Sequence, residues 1–214
     1  MRENIKQRLD LAVFQIYSSL CLSQYPIEPK NIVRYVTNCR YMSYEKLAEV
    51  SGCGVRDVIR SCRSADGCTQ FDRRNGRYLV LINEAGRSNE RIRWTCAHEL
   101  GHIAAGHFLD PDFAEQGRRR DEREEEADYF AASFLCPFPA ISRLFVEDAD
   151  ELADCFGLSQ TAALLRWSEY MRMSDAEPLM DAYFIRHTAR TTGRKYRFHT
   201  EKAIDVWADE SAML

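Results

Sequence analysis

Apolar residues recur at helical spacing in the first part of the chain. Between Asn4 and Ser23 they lie three or four positions apart, which predicts an amphipathic helix packed against the rest of the protein. These positions are Ile5, Leu9, Ala12, Val13, Ile16 and Leu20. Shorter helices are predicted over 29–36, 44–50 and 55–61, and Gly52 and Gly54 separate the last two.

The pattern changes between residues 66 and 83. Asn75-Gly76 is a favourable turn dipeptide because both residues tolerate a positive φ. The run from Tyr78 to Ile82 is rich in strand-forming residues. This segment therefore predicts a β-hairpin.

The helical pattern then returns. Ser88 or Asn89 can cap a helix that continues to about Gly106. A second amphipathic helix follows the charged segment 118–126 and ends at Pro137 and Pro139. Two further helices are predicted over 148–156 and 159–173, and short strands around 183–185 and 196–198.

These elements predict an α+β protein that is mostly helical, with a small antiparallel sheet beside the helix that begins at Ser88. We expect one compact unit with three regions. Residues 1–65 form an N-terminal helical region, 66–140 a central core, and 141–214 a C-terminal helical region with a short basic tail.

Composition narrows the possible functions. The chain has 214 residues, 33 acidic against 29 basic, so it lacks the overall positive charge typical of nucleic-acid-binding proteins. The N-terminus does not resemble a signal peptide, and no apolar run is long enough to span a membrane. We expect a cytoplasmic protein without a membrane partner, whose eight cysteines are mostly buried thiols.

The helix that begins at Ser88 contains the run His98-Glu99-Leu100-Gly101-His102. Residues four apart share one helix face, so His98 and His102 can direct their imidazoles at one ion while Glu99 lies beside them. This is the H-E-x-x-H pattern of zinc peptidases, in which the glutamate is the general base. The motif predicts a catalytic Zn²⁺ site that needs a third protein ligand.

A third histidine is not found where metzincins place it, because that position is Phe108. His107 lies one residue earlier, near the predicted helix end. We expect it to have a structural role or to support a ligand, since it is poorly placed to bind the ion itself.

A glutamate on the next helix is the alternative third ligand, and Glu124, Glu125 and Glu126 are the candidates. At about 100° per residue, Glu124 falls on the apolar face of that helix and is the preferred ligand, with the other two as alternatives. Asp128, one turn later, can accept the free ring N–H of a ligating histidine.

Three segments together resemble one family. The segment Arg91–His102, the Gly106-His107 pair and the run from Glu124 to Pro137 are similar to the ImmA/IrrE family of metallo-endopeptidases. The resemblance covers roughly residues 76 to 140, and Cys136 departs from the methionine expected before Pro137.

The resemblance implies a zincin-like core and a regulatory zinc endopeptidase that cleaves a helix-turn-helix transcriptional repressor. Glu99 would take a proton from the attacking water and pass it to the leaving amine. A strand such as Tyr78–Ile82 could bind the substrate through backbone hydrogen bonds. Candidates for an oxyanion donor include His187 and His199.

A different function is suggested by residues 152–166, where two helices separated by Gly157 have the spacing of a DNA-reading helix-turn-helix. Only Arg166 offers a DNA contact in the early turns of the second helix, so we expect packing or partner docking rather than DNA binding. The alternative function is a regulator that binds a repressor or DNA without proteolysis and uses zinc structurally.

Overall fold

The computed structural model describes residues 3–109, 118–172, 180–181, 183–184 and 190–191. Its α-helices are α1 (Glu3–Leu20), α2 (Pro29–Val33), α3 (Tyr44–Ser51), α4 (Val55–Cys62), α5 (Asn89–Ala104), α6 (Arg118–Leu135), α7 (Phe138–Leu144), α8 (Ala149–Phe156) and α9 (Gln160–Arg172). A 3₁₀ turn covers His107–Leu109. The strands are β1 (Gln24–Tyr25), β2 (Cys39–Ser43), β3 (Gly67–Asp72), β4 (Arg77–Ile82) and β5 (Arg190–Thr191).

The three-stranded sheet has the order β2-β4-β3. β3 and β4 form the predicted antiparallel hairpin, in which Gly67 is opposite Ile82 and Asp72 is opposite Arg77. β2 pairs in parallel with the other edge of β4. The α+β class is confirmed, but the sheet is mixed rather than wholly antiparallel. The sequence analysis missed β2, because a parallel partner brings no hairpin turn to identify it.

Helix α1 and the sheet border the main hydrophobic core. The apolar face of α1 is buried as predicted, with Leu9, Val13 and Ile16 at its centre. β4 separates two clusters, because Tyr78, Val80 and Ile82 belong to the main core and Leu81 packs with α3 and α4 on the other side.

Residues 183 and 184 differ from the strand predicted over 183–185, and residue 185 lies outside the described residues. Tyr183 and Phe184 are helical, and both rings pack edge-on against Tyr17 of α1. The Tyr183 hydroxyl donates to the Leu22 carbonyl at 2.8 Å. Aromatic packing against α1 thus overrides the local strand preference, while the strand predicted at 196–198 lies outside the described residues.

Helices α5 and α6 pack closely together beneath the sheet. Gly101 of α5 lies against the α6 backbone, so that a methyl group at this position would lie 2.8 Å from the Ala127 carbonyl oxygen and 2.9 Å from its Cα. A glycine in the middle of a helix normally weakens it relative to alanine. At position 101, glycine allows the backbones of α5 and α6 to approach each other closely.

Arg93, also on α5, connects this helix to two segments that are distant in sequence. Its guanidinium is buried and donates to the Gly157 carbonyl between α8 and α9 and to the Glu28 carboxylate before α2.

Among the described residues, no helix has the length and apolar character that a membrane span requires.

We predict that Gly101→Ala destabilises the protein by about 1–3 kcal/mol, because the added methyl group forces the two backbones apart. Urea denaturation followed by circular dichroism measures the change in unfolding free energy. Helix propensity alone would stabilise the variant by up to about 1 kcal/mol. Unchanged or increased stability would therefore show that the contact is not close.

Candidate metal centre

The start of α5 is fixed by its cap. Ser88 has extended backbone angles, and its side chain accepts a hydrogen bond from the Arg91 backbone N–H. Glu90 in the first turn favours the positive end of the helix dipole. The helix then runs without interruption past His98 and His102, so their one-turn separation is retained.

Three donor groups converge where α5 crosses α6. The Nε2 atoms of His98 and His102 lie 3.0 Å apart. The Glu124 carboxylate reaches this point from α6, with one oxygen 3.4 Å from His98 Nε2 and the other 3.9 Å from His102 Nε2. The ligand atoms of these three residues all lie within 4.8 Å of one another.

The donor set fits a zinc ion. Ligand atoms about 2.0–2.1 Å from a tetrahedral ion are separated by roughly 3.3 Å, and the observed distances of 3.0, 3.4 and 3.9 Å lie on both sides of this value. Two imidazole nitrogens with one carboxylate are also a common ligand set of catalytic zinc sites. Glu125 and Glu126 lie outside this cluster.

The δ nitrogens of both histidines point away from the cluster to other polar groups. His98 Nδ1 lies 2.8 Å from an Asp128 carboxylate oxygen, the contact anticipated for this aspartate. His102 Nδ1 lies 2.8 Å from His107 Nδ1. His107 Nε2 in turn lies 2.8 Å from a Glu126 oxygen. His107 is therefore adjacent to the donor cluster without belonging to it.

The titration of the two histidines differs because of these neighbours. Burial disfavours a charged His98, but the carboxylates of Asp128 and Glu124 outweigh it and raise its pKa to about 9. Burial, together with the neighbouring charge on His98, lowers the pKa of His102 to about 3. The hydrogen bond with His98 lowers the pKa of Glu124. At neutral pH the metal-free cluster therefore holds a proton on His98, which an incoming metal ion must displace.

Glu99 lies beside the cluster and is almost fully buried. Burial raises the pKa of its carboxyl group. One carboxylate oxygen accepts a hydrogen bond from the Thr69 hydroxyl of β3 at 2.8 Å. Sequence reasoning missed Thr69, because a threonine in a strand 30 residues before the motif gives no signal of this contact.

The position of Glu124 on α6 differs from the prediction. Glu124 was expected on the buried face, yet its side chain is 48% exposed, whereas the Glu126 side chain is 6% exposed. The reason is that the cluster opens into a cleft at the margin of the α5–α6 contact. A carboxylate at the centre of the buried face would lie within the α5–α6 contact and would not face the cleft.

The cleft above the cluster has a volume of about 1750 Å³. Its lining residues include His98, Glu99 and His102, together with Cys62, Gly67 and Thr69 and with Leu165 and Arg172 of α9. The cleft is therefore large enough for a polypeptide segment beside the donor cluster. His187 and His199, proposed as oxyanion donors, lie outside the described residues.

The helix-turn-helix candidate is present as α8, Gly157 and α9. Arg166, its expected DNA contact, is buried against Phe138 and donates to the Cys136 carbonyl at 2.9 Å. It also pairs with Glu169. Arg166 therefore anchors α9 to the end of α6, in agreement with a packing role.

A comparison with protein families adds independent information. The family model described as the IrrE N-terminal-like domain, Peptidase_M78, matches residues 54–168, which is more than half of the chain. The match includes the complete donor cluster and Glu99. No curated protein matches the chain significantly.

We predict that Asp128→Asn lowers the pKa of His98 in the metal-free protein from about 9 towards its ordinary value of 6.5, because the neutral amide no longer stabilises the imidazolium. Imidazole NMR signals followed against pH measure the midpoint. Asp121→Asn, which changes an exposed carboxylate in the first turn of α6, is the control. A midpoint that stays near 9 in Asp128→Asn would contradict the assignment.

The same shift affects stability. Because the pKa of His98 is raised on folding, its contribution to the stability of the metal-free protein is complete below about pH 6.5. This contribution is lost as the pH rises through about 9.

Proposed function

The chain belongs to the ImmA/IrrE family of M78 peptidases, and from this premise we propose that it is a zinc-dependent endopeptidase. His98, His102 and Glu124 would hold the ion, and Glu99 would be the general base. The observation that carries the proposal is the convergence of three donor groups beside a buried glutamate. All four residues line the same cleft.

A bound zinc ion would supply Lewis acidity, lowering the pKa of water to about 7 and polarising the scissile carbonyl. The chain's own contribution centres on Glu99. Its raised pKa favours uptake of a proton from the attacking water and its transfer to the leaving amine. The Thr69 hydrogen bond fixes the orientation of the Glu99 carboxylate beside the donor cluster.

The strand that would bind the substrate is β3 rather than β4. The sequence analysis selected Tyr78–Ile82, but β4 is the central strand, and both of its edges are already paired. β3 is paired with β4 alone among the described strands, and its residues Gly67 and Thr69 line the cleft. An extended peptide added to this edge would pass directly beside Glu99.

The proposed substrate is a helix-turn-helix transcriptional repressor in a mobile-element or stress-response system. This proposal is supported by the family resemblance of the segments around His98 and Glu124. The cleft volume agrees with a polypeptide substrate but does not by itself select a repressor.

We predict that Glu99→Gln retains zinc but loses cleavage by about 10²–10⁴-fold, because the amide cannot take up the proton. Zinc content is measured by atomic spectroscopy, and cleavage by electrophoresis of candidate helix-turn-helix repressors incubated with the protein. Glu125→Gln is the matched control, since it removes an exposed carboxylate outside the donor cluster. Repression relieved by Glu99→Gln with the repressor intact would instead favour the non-proteolytic regulator.

We further predict that Glu124→Gln weakens zinc binding by more than the roughly 10–100-fold typical of residues that only support a ligand. The reason is that a neutral amide replaces a charged ligand. Competition with a fluorescent chelator measures the affinity, and Glu125→Gln again provides the comparison. Equal losses in the two variants would remove Glu124 from the proposed ligand set.

A further inference from the structure

The two histidines of the donor cluster are oriented by different means. His98 Nδ1 contacts Asp128, whose side chain is 56% exposed. His102 Nδ1 contacts a second imidazole, that of His107, which is buried with its partner Glu126. The motif itself does not require this second arrangement, since one carboxylate or carbonyl acceptor is enough to orient a ligating histidine.

The chain turns back on itself to place His107. Helix α5 ends at Ala104, and Gly106 has a φ of +72°, a left-handed conformation that favours glycine. The turn directs His107 back towards His102, five residues earlier. A side chain at Gly106 would also meet the guanidinium of Arg8, at 2.6 Å from the nearest nitrogen. Backbone geometry and packing thus both fix the position of His107.

The contacts restrict which nitrogen can carry each proton. A metal ion bound at His102 Nε2 requires the His102 ring proton to be on Nδ1, 2.8 Å from His107 Nδ1. His107 must then accept at Nδ1 and carry its own proton on Nε2, 2.8 Å from the Glu126 carboxylate oxygen that accepts it. This leaves the lone pair of His102 Nε2 directed at His98 and Glu124.

We infer that Glu126 and His107 form a buried positioning relay that holds His102 in the tautomer able to bind a metal ion. The inference rests on the proposed function, because it assigns His102 Nε2 as a zinc ligand. The relay acts through His102 Nδ1 and contacts neither the reacting atoms nor the nitrogen and oxygen atoms that would bind the ion.

Because the relay is buried, water is not available to replace its residues. Water can replace the exposed Asp128 as the acceptor of the His98 N–H, but the Glu126 and His107 side chains are each 6% exposed. If Glu126 becomes glutamine, the new amide can donate to His107 Nε2 and move the His107 proton to Nδ1. His102 would then have to accept at Nδ1 and carry its proton on Nε2, where the metal should bind.

The direct test is the tautomer of each histidine in the metal-free protein at neutral pH, read from long-range ¹H–¹⁵N NMR of the imidazole rings. We expect His102 protonated at Nδ1 and His107 at Nε2. In Glu126→Gln we expect a population of His102 protonated at Nε2. Finding wild-type His102 protonated at Nε2 would overturn the inference, whether or not the variant folds.

The second measurement is zinc affinity by chelator competition. We expect Glu126→Gln to weaken binding by about 10–100-fold and Glu125→Gln, its sequence neighbour with the same loss of charge, by less than about threefold. Equal affinities of the two variants would also overturn the relay. Wild-type protein that binds no zinc would instead contradict the proposed function, while the tautomer measurement would still decide on the hydrogen-bond chain.

Discussion

The close packing of α5 against α6 is the interaction on which the rest of the site depends. Gly101 lies between the two histidines in sequence and touches the α6 backbone at Ala127. Because no side chain intervenes, Glu124, three residues before Ala127, comes within reach of both imidazoles. The same contact places Asp128 beside His98 and Glu126 beside His107. The absence of a Cβ atom at Gly101 thus sets the distance between the polar residues of α5 and those of α6.

The four carboxylates around the two α5 histidines lie in different electrostatic environments. Glu124 and Asp128 are half exposed at the cleft and hold His98 in its charged form. Glu99 and Glu126 are buried and accept hydrogen bonds from Thr69 and His107. In each pair the environment, rather than the residue type, sets the interaction: the exposed carboxylates stabilise the charge on His98, and each buried one accepts a hydrogen bond from a neighbouring side chain.

Local sequence predicts the parts of this structure that local forces determine. Helical spacing and caps identify α1, α5 and α6, and Asn75-Gly76 identifies the hairpin. The separation of His98 and His102 follows from one helical turn. In contrast, β2 joins the sheet through parallel pairing between distant segments, which leaves no local signal. The Thr69 contact depends on how elements pack. Periodicity along α6 favoured Glu124, which lies in the donor cluster, but it wrongly placed this side chain on the buried face, where Glu126 lies.

The open edge of β3 also restricts which segments of a substrate could be cleaved. Residues of this strand line the cleft, and a folded helix offers its edge no unpaired backbone groups. A segment must first unfold locally and expose its backbone N–H and C=O groups before it can pair with β3. Under the proposed function, the rate of cleavage would then depend on the local unfolding equilibrium of the substrate as much as on its sequence. A ligand or signal that loosens one segment of the substrate would control proteolysis without touching the peptidase.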